Sequence, residues 1–132
     1  MRRAALVLLP LALTACAGGG SGGPAPAPPA EDALVVELDR GDGTEPERYT
    51  LRCADPAAGD LPDPAAACAT LRGLVDPFAP LAGDVACTEI YGGPQTARVT
   101  GRWAGAAVDL ALARTDGCRI GQWDRLGVLL PG

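Results

Sequence analysis

Cys87-Thr88-Glu89-Ile90-Tyr91 sets a bare carboxylate two residues after a thiol and directly before two bulky apolar side chains. The surrounding stretch, VACTEIYGGP from Val85 to Pro94, is too polar for a core strand and too apolar for a solvated loop. A stretch of this mixed character reads as one that a partner is meant to touch. The remaining reactive groups are the thiols of Cys16, Cys53, Cys68 and Cys118. The chain has no histidine, which excludes Ser-His-Asp and Cys-His nucleophiles and any zinc site built on imidazole. It has no lysine either, so no glycine-rich loop can end in the lysine that a phosphate cradle requires. Sixteen aspartates and glutamates will always supply some carboxylate pair, and a solvated surface is their plain reading. The expectation is a protein that binds rather than catalyses, with no metal and no cofactor.

What would carry these residues begins with a leader. MRR is a basic start, AALVLLPLAL is an apolar run broken by Pro10, and LTAC closes it at Cys16. The run reaches about half of the ~20 residues a bilayer-spanning helix needs, so it reads as an export signal over residues 1–15. Leu13-Thr14-Ala15-Cys16 resembles a bacterial lipobox, in which a signal peptidase cuts before the cysteine and its thiol carries a diacylglycerol. An ordinary signal peptide with Cys16 left over is the alternative. The lipid reading predicts an extracytoplasmic protein anchored to the cell membrane through Cys16. It also leaves four cysteines, an even number suited to an oxidising compartment, with three pairings open. A four-thiolate metal site is therefore not expected.

Residues 16–32 continue as a tether, AGGGSGGPAPAPPAED after Cys16, flexible where glycine-rich and extended where proline alternates with alanine. At ~3.1 Å per extended residue it can hold a domain tens of Å from a membrane. The net charge of −5, with eleven arginines and no basic stripe, argues against nucleic acid as a partner.

The domain itself occupies residues 33–132. ALVVEL (33–38) has the short β-branched run of a strand, and RYTLRC (48–53) alternates, with Tyr49, Leu51 and Cys53 on one face. DPAAACATLRG predicts a helix with Asp63 as N-cap, Pro64 in the first turn and a stop at Gly73, its Ala67, Leu71 and Leu74 facing one core. Asp76-Pro77 repeats that opening, but Pro80 limits it to about a turn. ARVTGRW (97–103) and AVDLALA (107–113) read as a hairpin with Gly105 in the turn. Two readings stand for the tail: RIGQWDRL as a short helix, and GVLL as a strand that closes the sheet. Strands around one good helix indicate an α+β domain with an antiparallel sheet.

Taken together, ALVVEL, PERYTLRC, LPDPAAACATL, CTEIY, VTGRWAGAAVD and the spacing of the four domain cysteines resemble the Streptomyces subtilisin inhibitor family of exported serine protease inhibitors. The resemblance implies a five-stranded antiparallel sheet with two short helices and the disulfides Cys53–Cys68 and Cys87–Cys118. It also implies a homodimer through the sheet and a loop that enters a protease cleft like a substrate. In that loop Cys87 is the anchor, Thr88 precedes the specificity position, Glu89 occupies it, Glu89–Ile90 is the would-be scissile bond, and Tyr91 lies just beyond.

Three departures from the family pattern bear on function. Best-known members carry Pro where Thr88 stands and Met or Lys where Glu89 stands. YGGP is one residue longer than the usual Tyr-Asp-Pro, which predicts a looser outgoing side of the loop, and GQWDRLGVLLPG matches poorly. The partner expected is an extracellular serine protease, subtilisin-like or glutamate-specific. The alternative is a non-inhibitory envelope lipoprotein that keeps the scaffold and binds something else.

Overall fold

The computed structural model describes residues 31–132 together with 20 and 22–24. The leader, Cys16 and most of the tether lie outside the described residues. The elements run β1 (Ala33–Asp39), β2 (Glu47–Arg52), β3 (Ala58–Gly59), α1 (Pro64–Gly73), β4 (Thr96–Trp103), β5 (Ala106–Ala113) and α2 (Gly117–Arg125), followed by a 3₁₀ turn (Gly127–Leu129). No helix among the described residues is long and apolar enough to cross a membrane.

The five strands form one antiparallel sheet in the order β3-β2-β1-β4-β5. Its central strand alternates, as burial on one face requires: Leu34, Val36 and Leu38 point into the core. Leu51 of β2, Ala97, Val99 and Trp103 of β4, and Val108, Leu110 and Leu112 of β5 complete that face. The outer face carries ion pairs instead, Arg48 with Glu37 at 2.8 Å across β1–β2 and Arg98 with Asp109 at 2.7 Å across β4–β5. Exposed pairs of this kind add at most about 1 kcal/mol each, so the inner face holds the sheet together.

α1 follows its sequence signals. The Asp63 carboxylate accepts from the Ala66 amide at 2.9 Å, Pro64 stands at the first position, and Ala67, Cys68 and Leu71 are buried. Leu74 is only half-buried because the chain has already turned extended there. The β4–β5 hairpin closes on Ala104-Gly105, whose φ of 48° and 80° are both left-handed, as in a type I′ turn. Asp32 holds that turn by accepting from the Ala104 amide at 2.7 Å.

The tail resolves in favour of its helical reading, and GVLL is not a strand. Leu126, Leu129 and Leu130 are buried at spacings of three and four, a helical period, and the 3₁₀ turn delivers them to the core beside α1. The fifth strand is instead the two-residue β3, which pairs with β2 at the sheet edge through Leu51↔Gly59 and Arg52↔Ala58. Both disulfides are present, Cys53–Cys68 joining the end of β2 to α1 and Cys87–Cys118 joining the α1–β4 connection to α2. The first is buried in the core cluster beside Leu71. Leu71→Ala should therefore cost about 2–5 kcal/mol, read as a lower urea midpoint at an unchanged slope; an unshifted midpoint would contradict this packing.

Candidate functional site

The connection between α1 and β4 contains no helix or strand, and every residue from Pro80 to Tyr91 is exposed. Cys87, Thr88, Glu89, Ile90 and Tyr91 all lie here, and the structure brings them together against the start of α2. The Cys87–Cys118 disulfide makes the first attachment, with Cα atoms 5.3 Å apart. Next to it the Thr88 carbonyl accepts from the Gly117 amide at 2.9 Å. Three residues beyond Glu89, the Gly92 amide donates to the Arg114 carbonyl at 2.7 Å. Glu89, Ile90 and Tyr91 span the gap between these two attachments, and Ile90 and Tyr91 are 57% and 67% exposed.

The Thr88 carbonyl also accepts from the Ile90 amide at 2.9 Å, closing a three-residue turn with Glu89 at its apex. Among the described non-glycine residues only Asp76 and Ala104 have positive φ, so this is the common inverse form of the turn. Glu89 is exposed at this apex, and its carboxylate has no hydrogen bond or ion pair among the described residues.

Local sequence explains why the segment from Arg114 to Ile120 can receive the loop. Asp116 caps α2 by accepting from the Arg119 amide at 2.9 Å, and its second oxygen accepts from the Arg119 guanidinium at 2.9 Å. The helix therefore starts at the point where the loop docks. Gly117 lets Thr88 sit directly on the helix start, since a β-carbon there would run into the Thr88 hydroxyl. Gly92 lies against Ile120, where a β-carbon would come within 2.9 Å of Cδ1. Arg114 then reaches past the loop, donating to Gln95 Oε1 at 3.2 Å and placing its guanidinium 5.9 Å from the centre of the Trp123 ring.

These supports were not foreseen in the sequence, apart from the disulfide. The longer YGGP stretch does not free the outgoing side: Gly92 is hydrogen-bonded, and Gly93, with φ of 136°, turns the chain toward β4. Gly117, immediately before Cys118, was the one detectable signal, because the residue beside a loop-anchoring disulfide has to admit the loop. Cys87, Asp116 and Cys118 also gather within 4.8 Å of one another, but the two sulfurs are bonded together and leave no thiolate for a metal. What the arrangement offers chemically is a main chain held on both sides of an exposed peptide bond, with one carboxylate free to enter a partner's pocket.

Comparison with known proteins bears on this geometry. The model of the subtilisin inhibitor-like family matches residues 30–113, which include all five strands and the loop. Subtilisin inhibitor-like protein 5 of Streptomyces fradiae is 38% identical over 85 residues, covering 60% of this chain and 78% of that protein. Subtilisin inhibitor-like protein 4 of Streptomyces lavendulae is 39% identical over 85 residues, covering 60% and 72%. Among solved structures, Streptomyces caespitosus sermetstatin in complex with Bacillus licheniformis subtilisin shares the fold, with a TM-score of 0.51 at 22% identity over 77% of this chain and all of that one. A family match over more than half of the sequence, two relatives covered over most of their length and a common fold lead to one conclusion: this chain belongs to the subtilisin inhibitor-like family.

Proposed function

We propose that the protein is an extracytoplasmic serine protease inhibitor, tethered to the membrane by lipid on Cys16 and the linker of residues 16–32, that presents Glu89–Ile90 to its target as a would-be scissile bond. The observation that carries this reading is the pair of attachments on either side of that bond. A loop already held in one shape loses little conformational freedom on binding, which favours affinity. The same attachments bear on turnover. When the protease serine attacks the Glu89 carbonyl, the bond to the Ile90 nitrogen breaks and that amine becomes the leaving group. Cys87–Cys118 and Thr88–Gly117 retain the acyl side, while Gly92–Arg114 retains the amine side. The Ile90 amine therefore stays beside the acyl carbon and re-forms the peptide bond faster than water hydrolyses the ester.

Glu89 narrows the target. Subtilisin-type pockets are broad and largely apolar, and burying an unpaired carboxylate there costs several kcal/mol. A basic specificity pocket, as in a glutamate-specific endopeptidase, supplies the missing partner. The outer face of the sheet, which no other element covers among the described residues and on which Val35, Thr50 and Thr100 lie half-buried among ion pairs, supports a homodimer through that surface.

The second reading, a non-inhibitory envelope lipoprotein, draws its support from the same carboxylate, which suits an apolar pocket so poorly. A panel of subtilisin, trypsin and a glutamyl endopeptidase separates the two. The inhibitor reading expects tight, slowly reversed inhibition of the glutamyl enzyme, with the cleaved fraction cut between Glu89 and Ile90. Inhibition of none of the three would transfer the assignment to the binding-module reading.

A further inference from the structure

The exposed large hydrophobic residues among the described residues are Val75, Leu81, Val85, Ile90 and Tyr91, and all five sit on the one connection between α1 and β4. Scattered singly over a surface, such residues need no explanation. Here they share a segment that also carries Asp76, Asp84 and Glu89 and not one arginine. The three carboxylates have no hydrogen bond or ion pair among the described residues.

This segment is laid along α2. Cys118, Gln122 and Arg125 fall at i, i+4 and i+7, on a single stripe of the helix. Cys118 is bonded to Cys87, Gln122 Nε2 donates to the Ala79 carbonyl at 3.2 Å, and Arg125 Nη2 donates to the carbonyls of Val75 and Asp76. The chain from Val75 to Cys87 thus runs antiparallel to α2, held at three points over about 10 Å, at ~1.5 Å of rise per residue. Behind the far end Pro77 is buried and Phe78 meets Trp103 edge-on, with ring centroids 5.9 Å apart. Val75 nevertheless points away from all of this and is 87% exposed. A backbone fastened this way while its apolar side chains face water is arranged for contact.

Interface size points to the partner. A stable protease–inhibitor contact buries about 800 Å² on each side and engages roughly 20–30 residues of each protein. The short span from Cys87 to Gly92 supplies only a fraction of that. We propose that Val75, Leu81 and Val85 form a second contact strip for the same protease, continuous with the reactive loop, and that the target carries an apolar rim flanked by basic residues beside its cleft. The proposal rests on the inhibitor reading above and extends it to the surface outside the specificity pocket. The acidic groups of the strip speed encounter with a basic rim, and the apolar ones slow release.

Two variants of the purified protein test this against the protease of the panel that the wild type inhibits best. Val75→Arg, at an exposed position outside the core, should leave the unfolding midpoint unchanged and weaken inhibition by at least about tenfold, mainly through faster dissociation. The double variant D76N/D84N should lower the association rate and flatten its dependence on ionic strength. Wild-type inhibition constants and an unaltered salt slope in both variants would overturn the strip while leaving the inhibitor reading intact. A wild-type protein that inhibits no protease of the panel would overturn both.

Discussion

Glu89→Met is expected to turn the protein into a strong inhibitor of subtilisin, improving its inhibition constant by more than a hundredfold. The carboxylate is the obstacle: placed in a broad apolar pocket without a partner it costs about 3 kcal/mol or more, and each 1.4 kcal/mol is a factor of ten in affinity. The substitution is clean because the Glu89 side chain supports nothing. It makes no hydrogen bond or ion pair among the described residues, and the loop is held by the Cys87–Cys118 disulfide and by the main chain of Thr88 and Gly92, none of which involves Glu89. Methionine also suits the pocket by length and flexibility. Inhibition of a glutamyl endopeptidase should fall by a comparable factor in the same variant, since its basic pocket then faces a thioether. Steady-state inhibition of both enzymes reads the exchange directly. A folded variant with both disulfides intact that leaves subtilisin fully active would show that the loop, and not its specificity residue, is incompetent.

The contrast between Glu89 and its supports also shows where sequence reasoning reaches. α1 was readable because its signals are local: Asp63, Pro64 and the apolar period Ala67, Leu71 and Leu74 sit within one short window, although Leu74 falls just past the helix end. The β4–β5 hairpin was readable for the same reason, through alternation on both sides of Ala104-Gly105. β3 has no such signal, because two residues cannot show a period and Ala58–Gly59 pairs only through its position beside Leu51. GVLL misleads because a short apolar run fits a strand and a buried turn equally well. Its place was decided by Leu126, which fixes a helical spacing for the leucines that follow. The four domain cysteines left three pairings open on their own, and only the family resemblance selected the two that the structure contains.

The candidate site divides along the same line. Its exposed part, Cys87 to Tyr91, was legible as an incongruous stretch of residue types. Its supporting part was not, because Gly117 under Thr88, Arg114 behind Gly92 and the stripe of Cys118, Gln122 and Arg125 are contacts between segments far apart in the chain. Helical spacing alone could place those three residues on one face of α2. It could not say that the face would be occupied by the chain from Val75 to Cys87. Nor does the family match reach them, since it ends at Ala113, just before α2. The loop thus lies inside the matched span while much of what holds it lies outside.

Removing one disulfide or the other should separate stability from function. Replacing both Cys87 and Cys118 by serine opens a cross-link between residues 31 apart, worth about 3–4 kcal/mol in the chain-entropy model. The sheet should still form, because Cys87 is exposed, Cys118 is only partly buried, and the core cluster of Leu34, Val36, Leu51, Leu71 and Val99 involves neither. The loop should behave differently. Its incoming side would be held only by the Gly117–Thr88 hydrogen bond, and such a bond contributes about 1 kcal/mol net. After attack at Glu89 the acyl and amine ends would drift apart before re-forming the bond. The expected result is a change of role, from inhibitor to substrate: inhibition weakened by about a hundredfold or more, as a loss near 3 kcal/mol implies, with two fragments that share no covalent link, held only by the β1–β4 pairing and the core, and a mass spectrum that places the cut at Glu89–Ile90. C53S/C68S provides the opposite case, since that pair closes a separation of 15 within the core and touches no part of the loop. It should lower the urea midpoint while the folded fraction inhibits as the wild type does. Were the two double variants to lose inhibition equally at matched folded fractions, the Cys87–Cys118 bridge would be a staple of the fold and not the hinge that keeps a cut loop in place.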